Sequence, residues 1–234
     1  MANILCIETS AAVCSVALAV NGETVAVRES DSGRNHAGNI GVFADEILRA
    51  NNMGPEDLDA VAVSSGPGSY TGLRIGVSFA KGLCYGLQIP LVAVGSLDSL
   101  VQVAREDYEA GIIDVEQWDD AVLCPMVDAR RMEVYTQMFD AKGQSLNEVK
   151  AEIIAEDSFA EWRNGRPFVI FGNGAAKCQE VLTDAILVNV TPSARGLAAL
   201  AHQRFEAGQT EDIAYFEPFY LKDFIVIPSK KKLL

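Results

Sequence analysis

Three glycines, Gly66, Gly68 and Gly72, lie where an apolar strand pattern gives way to a helical one, a setting in which a chain can bind phosphate. Glycine lets the backbone bend and admits a close neighbour, and a helix start offers unpaired N–H groups at its positive dipole end. The turn, which also holds Ser69, is therefore a candidate phosphate cradle. The third glycine is one residue too far along the chain for the dinucleotide-binding pattern G-x-G-x-x-G. The alternative role of this turn is therefore to pack the helix onto its strand.

Residues for nucleophilic or metal catalysis are few. The two histidines, His36 and His202, are far apart in the sequence and have no cysteine or histidine cluster around them, which argues against a histidine-based metal site. Cys6, Cys14 and Cys84 lie in apolar patterns, where thiols are inert. No serine or cysteine is paired with a base, so we predict neither a peptidase nor a histidine-bound metal; a site of carboxylates alone stays open.

Charge and composition restrict the partners and the compartment. The net charge of −13 repels phosphate backbones, so we expect the isolated chain to bind nucleic acid poorly. Five cysteines, an odd number without a C-x-x-C pair, indicate reduced thiols in a cytosol. Met1 leads directly into an apolar strand pattern and no charge-free apolar run is long enough for a membrane span, so we expect no signal peptide and no membrane contact. The basic run Lys230–Lys232 is interpreted as a solvated end, with contact to a polyanion as the alternative.

Hydrophobic periodicity predicts a regular series of elements in the first half of the chain. The first three elements are strands at Asn3–Glu8, Val13–Val20 and Glu23–Glu29, with a hairpin turn at Asn21-Gly22. A polar loop at Ser30–Arg34 and a helix from His36 to about Asn51, capped by Asn35, follow them. The series ends with a strand at Ala60–Val63, a helix to about Leu87, a strand at Leu91–Val94 and a helix at about Leu97–Arg105, capped by Ser96. This order matches the ribonuclease-H-like lobe of the actin and hexokinase superfamily. The predicted fold class is therefore a two-lobed α/β actin-like fold.

The second half repeats the scheme loosely. We predict strands at Ala121–Val127, Glu133–Asp140, Val149–Ile154, Phe168–Phe171 and Ala185–Val190, a short helix through Trp162, a helix after the second glycine loop at Gly172-Asn173-Gly174, and a helix from Ser193 to about Phe205. The predicted lobes are residues 1–107 and 108–214, followed by an extended tail at 215–234 that packs over a lobe through its aromatic and branched residues. Phosphotransferases of this fold carry an aspartate at the position that Glu8 occupies here, before Thr9. We interpret Glu8 as a residue that orders the turn; the alternative is that it contacts a water bound to magnesium.

Small side chains recur every four residues in the helix that follows the glycine turn, at Gly72, Gly76, Ala80 and Cys84. A glycine inside a helix costs about 1 kcal/mol relative to alanine, so this helix gains from the close approach of another backbone. The pattern leaves two alternatives for that backbone. It belongs either to the sheet of the chain itself or to a second protein.

Several segments resemble the TsaB family. They are residues 4–10 (Ile-Leu-Cys-Ile-Glu-Thr-Ser), 14–18, 57–63, 66–76 and 80–82, and the closing residues 217–222 (Glu-Pro-Phe-Tyr-Leu-Lys). The resemblance implies the two-lobed actin-like fold and a non-catalytic role. A TsaB protein docks on TsaD, which transfers a threonylcarbamoyl group to the base next to the anticodon of tRNA, while TsaE supplies an ATPase.

The resemblance also implies a docking surface, in which the helix after His36 and the small-residue helix pack against the same two helices of TsaD. The partner-binding residues predicted on this basis are His36, Ile40, Phe43, Ile47, Gly72, Leu73, Gly76, Ala80 and Cys84. In the absence of TsaD, the same face would form a homodimer. TsaE would bind as part of the complex, and the chain would contact tRNA only within the complex. The alternative is an actin-fold enzyme that binds ATP in its own cleft, at Glu8, Thr9, Gly66, Gly68 and Ser69; otherwise we expect no cofactor and a cytoplasmic protein.

Overall fold

The computed structural model describes residues 1–30 and 35–222, which form two β-sheets with helices packed against them. The strands are β1 (Asn3–Glu8), β2 (Cys14–Val20), β3 (Glu23–Ser30), β4 (Ala60–Ser64), β5 (Leu91–Val94), β6 (Val122–Asp128), β7 (Glu133–Thr136), β8 (Phe139–Asp140), β9 (Lys150–Ile153), β10 (Phe168–Phe171) and β11 (Ile186–Leu187). The helices are α1 (His36–Ala50), α2 (Tyr70–Leu87), α3 (Ser96–Glu109), α4 (Ala160–Arg163) and α5 (Ala198–Glu206).

The first sheet has the strand order β3-β2-β1-β4-β5. Strands β1 to β3 form an antiparallel meander, and β1, β4 and β5 run parallel. The β2–β3 hairpin closes through Asn21 at φ 51° and Gly22 at φ 85°, the left-handed pair that a type I′ turn requires. The predicted order of elements and the α/β actin-like fold class are confirmed.

Apolar side chains point alternately to the two faces of the first sheet, and each face packs against different helices. One face carries Leu5, Ile7, Val61 and Val63 and packs against α1 and α2. The other face consists mainly of alanine, valine and cysteine side chains and packs against α5. These small side chains on the α5 face let that helix lie close to the sheet.

The second sheet has the order β11-β10-β6-β7-β9, with β8 paired to β6. Three predictions for this half are wrong. The strand predicted at Glu133–Asp140 is divided into β7 and β8. The segment after the second glycine loop is a single 3-10 turn, Ala176–Cys178, and the strand predicted at Ala185–Val190 is only β11. Ala175, Cys178 and Leu182 are all buried in the core beneath β6 and β10, and successive turns rather than one helix bring them there.

Two helices cross between the predicted lobes. Helix α3 contributes Leu97, Leu100 and Ala104 to the core of the second sheet, although it follows directly on β5. Helix α5 lies beyond the second sheet in sequence but buries Ala198 and Ala201 against the first sheet. The predicted boundaries at 107/108 and 214/215 therefore do not coincide with the two cores.

Residues 211–222, which we call the strap, lead the chain back over the first sheet. Glu211 N donates to Leu91 O at 2.8 Å, and Phe219 N donates to Ser65 O at 2.7 Å. The predicted residues Phe224, Ile225, Val226 and Lys230–Lys232 lie outside the described part, as do residues 31–34 of the polar loop. Among the described helices, none is long and apolar enough to cross a membrane.

Candidate functional site

The turn between β1 and β2 is organised by the buried carboxyl group of Glu8. Its Oε1 accepts hydrogen bonds from Ser10 N at 2.5 Å and Ser64 Oγ at 3.0 Å, while Oε2 has no partner among the described residues. Burial raises the pKa of Glu8 above its ordinary value of 4.5, and hydrogen bonds from Ser10 and Ser64 oppose the rise. Because Oε1 already accepts two hydrogen bonds from the chain itself, these contacts support an ordering role for Glu8.

Replacing Glu8 by glutamine is expected to remove a pH dependence of folding. A folded-state pKa raised above 4.5 stabilises the fold at low pH, and this contribution is lost as pH rises through the folded-state value. Thermal unfolding measured from pH 4.5 to pH 8 should show the variant gaining stability relative to wild type as the pH rises. The exposed Glu23→Gln serves as control, and a constant wild-type-to-variant difference across that range would contradict the assignment.

The glycine turn is filled by the chain's own backbone. Ser69 N donates to Ser10 O at 2.7 Å, and a Cβ at Gly68 would lie 2.5 Å from that same oxygen. Gly66 has φ 110°, and a Cβ there would lie 2.6 Å from Phe219 O of the strap. Close approach of the strap is therefore what Gly66 permits, and the phosphate cradle stays a prediction.

A cleft of about 710 Å³ lies between the two lobes. Ser10, Gly68, Ser69 and Thr71 line its first-lobe wall, and residues of β6, β7 and the loop between them line the other. Tyr220 and Lys222 of the strap stand at the same cleft. Within residues 1–30 and 35–222, no group of three or more histidine, cysteine, aspartate or glutamate side chains is arranged to hold a metal ion.

His36 belongs to this cleft and not to an exposed helix face. Its ring Nε2 lies 2.9 Å from Ala11 O, which ties the start of α1 to the β1–β2 turn. The side chain is mostly buried and lines the cleft. One polar ring atom of His36 is therefore used inside the chain, and its contact with a partner stays a prediction.

The row of small residues on α2 faces inward. Gly72, Gly76, Ala80 and Cys84 are buried, and a Cβ at Gly72 would collide with Thr9 O. A Cβ at Gly76 would collide with Thr9 Oγ1. The backbone that approaches these glycines belongs to the β1–β2 turn, so the chain itself accounts for the small side chains of this row.

Three further residues predicted for the docking surface are also core residues. Ile40, Ile47 and Leu73 are each at most 1% exposed. Only Phe43 of the predicted apolar anchors is partly exposed, and it packs at the margin of the same core. Helical spacing identified the buried faces of α1 and α2, and the outward faces have different residues.

An apolar groove of about 530 Å³ runs between the outward faces of α1 and α2. We call it the α1–α2 groove; its lining residues are Ala37, Ile40, Tyr70, Thr71, Arg74, Ile75, Ser78 and Phe79. The helices come close where Gly41 faces Phe79, since a Cβ at Gly41 would lie 3.6 Å from the Phe79 ring. The groove is open to solvent and offers more apolar than polar surface.

The row of α2 that holds Arg74 and Ser78 continues through Gly82 to Gly86 at four-residue spacing. A Cβ at either glycine would meet nothing within 4 Å, so the chain's own fold does not require glycine at these positions. Tyr85, beside them, is 74% exposed. This second row, and not the buried one, is available to another molecule.

The strap and the groove meet at a cluster of two tyrosines and an arginine. The Tyr70 and Tyr220 rings are 4.8 Å apart, and the Arg74 guanidinium lies 4.2 Å from the centre of the Tyr70 ring. Arg74 Nε also donates to Tyr220 Oη at 3.2 Å. Tyr70 lines both the cleft and the groove, so the first turn of α2 separates the two.

Comparison with known proteins identifies the family. A family model described as TsaD, tRNA N6-adenosine threonylcarbamoyltransferase, matches residues 27–226. The tRNA threonylcarbamoyladenosine biosynthesis protein TsaB of Haemophilus influenzae is 30% identical over 94% of this chain and 93% of its own length. The TsaB of Bacillus subtilis is 30% identical over 78% of this chain and 76% of its own. The chain belongs to the TsaB family.

A solved structure of YeaZ from Pseudomonas aeruginosa shares the fold of this TsaB-family chain, with a TM-score of 0.76 and 24% identity over 94% of this chain and all of that one. A tRNA N6-adenosine threonylcarbamoyltransferase of Nitratidesulfovibrio vulgaris is 44% identical over 78 residues, 33% of this chain and 22% of its own length. The similarity of this chain to that enzyme is thus confined to a third of the chain.

Sequence reasoning missed the residues that the structure places at the α1–α2 groove and at its contact with the strap. They are chiefly Arg74, Ser78, Phe79 and Tyr220. Gly82 and Gly86 were visible as a second pair of small residues on the same helix. A polar Arg74–Ser78 row beside two glycines marks the outward face, because a core-facing row would not hold an arginine. The contact between Arg74 and Tyr220 joins residues far apart in sequence, and no local pattern signals it.

Proposed function

We propose that this TsaB-family chain is a non-catalytic partner of TsaD in the formation of threonylcarbamoyladenosine in tRNA, and that it docks through the α1–α2 groove. The relatives' names give the pathway, and the geometry of the groove supports the role. We further propose that the complex is cytosolic, in keeping with five free and buried cysteines. TsaE would join through the complex, and a homodimer through the same groove would form without TsaD.

The observation that carries the proposal is the second glycine row on α2. Each helical glycine costs about 1 kcal/mol relative to alanine, and neither Gly82 nor Gly86 has a neighbour that would exclude a side chain. Close approach of a partner's helix would account for both residues. Tyr85 of α2 and Val42 of α1, 74% and 52% exposed, would supply apolar contact to that partner.

The inter-lobe cleft supports the non-catalytic part of the proposal. Glu8 occupies the position of an acidic metal-binding residue, yet its carboxyl group is buried and its pKa is raised. The β1–β2 turn and the glycine turn bond directly to each other, at the place where a phosphate would have to enter. The alternative, an ATP-binding enzyme, predicts micromolar ATP binding by the isolated chain. Calorimetry with ATP and magnesium decides between the two.

Filling the α1–α2 groove tests the docking. Ser78 is exposed in the middle of the groove, so Ser78→Trp should keep the fold and weaken association with TsaD of the same organism by at least about tenfold, because a bulky ring blocks the central contact. Light scattering and titration calorimetry measure association, and thermal unfolding checks the fold. Thr210→Trp, an exposed position away from the groove, is the control. Wild-type affinity in a folded Ser78→Trp protein would refute docking at the groove.

A further inference from the structure

The hairpin between β6 and β7 presents two arginines in an unusual backbone conformation. Arg130 has φ 72° and Arg131 has φ 49°, so both lie in the left-handed region. Asparagine and glycine are the residues that adopt this conformation most readily in a hairpin turn. The sequence Ala129-Arg130-Arg131-Met132 therefore keeps two arginines at positions where the backbone alone would favour other residues.

The positive charges of Arg130 and Arg131 are not balanced by neighbouring acidic side chains. Both are exposed, and neither side chain has an ion pair or hydrogen bond among the residues that the structure describes. The acids on either side are already neutralised: Lys177 pairs with Asp128, and Lys222 pairs with Glu133. A chain with a net charge of −13 thus carries a local double positive charge at one loop tip.

The tip lies on the second lobe, and neither arginine lines the α1–α2 groove. Arg130 stands at the inter-lobe cleft on the wall opposite Ser69, and Lys177 Nζ also donates to Glu133 O at 2.7 Å at the base of the hairpin. The tip is therefore held in place while its two guanidinium groups face solvent. Planar guanidinium groups bind phosphate oxygens in pairs, and two adjacent ones suit neighbouring phosphates of a nucleic-acid backbone.

We propose that the Arg130–Arg131 tip binds the phosphate backbone of the tRNA while the chain is docked on its partner. This inference rests on the proposed function, because the overall negative charge would prevent firm RNA binding by the chain alone. The tip would add sequence-independent contacts that position the tRNA. An acidic surface of a partner protein is the other occupant that the test separates.

The test measures binding of an unmodified tRNA transcript to the complex of this chain with TsaD, by fluorescence anisotropy at several salt concentrations. Arg130→Gln with Arg131→Gln should weaken binding about tenfold at low salt, and should reduce the slope of log affinity against log salt by about 1.4–1.8, which is 0.7–0.9 for each lost phosphate contact. Arg130→Lys with Arg131→Lys should retain most of that slope, since the charges remain.

Two controls keep the result specific. Lys142→Gln with Arg166→Gln removes two other exposed cations that lack an ion pair among the described residues, and should change tRNA affinity little. Arg130→Asn with Arg131→Gly suits the left-handed turn, so it should raise the melting temperature while tRNA affinity still falls; a merely structural role would not separate the two readouts.

Unchanged affinity and salt slope in the glutamine variant, or an equal loss in the Lys142/Arg166 control, would overturn the inference. Loss of assembly with TsaD in the glutamine variant would also overturn it, because the tip would then contact the protein partner. If wild-type chain and TsaD do not associate, the proposed function fails as well; normal assembly without an arginine effect refutes only the inference about tRNA.

Discussion

Leucine at position 76 is expected to destabilise the chain by about 3 kcal/mol or more and to leave much of it unfolded, not to block docking alone. Gly76 lies in the buried row of α2, and even a Cβ at this position would collide with Thr9 Oγ1. Thr9 is fully buried in the β1–β2 turn, and its hydroxyl has no hydrogen-bond partner among the residues that the structure describes. Four additional carbon atoms must therefore push α2 away from the sheet.

Alanine substitutions on the same helix provide the matched comparison. Gly82→Ala should stabilise the chain by up to about 1 kcal/mol, because the helix gains propensity and the Cβ meets nothing within 4 Å. Gly76→Ala gains the same propensity but should be destabilising overall, since its Cβ collides with Thr9. Urea and thermal unfolding of the three variants measure these differences. Equal stabilisation by both alanines would show that α2 is not pressed onto the β1–β2 turn at Gly76.

This result bears on how docking can be assayed. A folded protein is required before association can be interpreted, and Gly76→Leu would lose binding to any partner through unfolding. Substitutions at Ser78 or Gly82 change only the outward face of α2. The two faces of one helix must therefore be tested with different measurements, unfolding for the inner row and association for the outer row.

Local chemistry was sufficient to predict most of the first lobe. The Asn21-Gly22 pair specified a type I′ hairpin, alternating apolar residues specified the strands, and helical spacing specified α1 and α2 to within a residue or two. Asn35 stands at the start of α1 as predicted, but its side chain makes no capping hydrogen bond. Ser69 does cap α2, because its hydroxyl accepts from Gly72 N at 3.2 Å.

The direction of each small-residue row could not be read from spacing. Both rows of α2, Gly72–Gly76 and Gly82–Gly86, recur at four residues, and periodicity does not say which neighbour approaches which row. The neighbour of the first row is Thr9, more than sixty positions earlier in the sequence. Packing between such distant segments decided the matter.

Long-range packing also explains why the two cores do not follow the predicted lobe boundaries. Helices α3 and α5 each leave the sheet that precedes them in sequence and pack against the other one, so the chain passes between lobes more than once. Nothing in the composition of α3 distinguishes these alternatives, because its apolar face would suit either core. The strap adds a further return, and its contact with Gly66 is visible only once both segments are in place.

Leucines at positions 82 and 86 together are expected to abolish docking on TsaD, by on the order of a hundredfold in affinity, while making the isolated chain more stable. The stability gain follows from replacing two helical glycines whose Cβ positions are empty. The binding loss follows from the proposed close approach of a partner helix, which two leucine side chains would hold off. Opposite signs for stability and association are the specific signature of an interface.

The measurement pairs urea unfolding of the variant with its titration against TsaD. Gln203→Leu with Glu206→Leu places two leucines on exposed positions of α5 and controls for added surface hydrophobicity. Gly82→Ala with Gly86→Ala should fall between wild type and the leucine variant, because a methyl group widens the helix spacing less. If the leucine variant binds TsaD with wild-type affinity, no partner helix approaches this row. The presence of glycine at positions 82 and 86 would then have a reason other than docking.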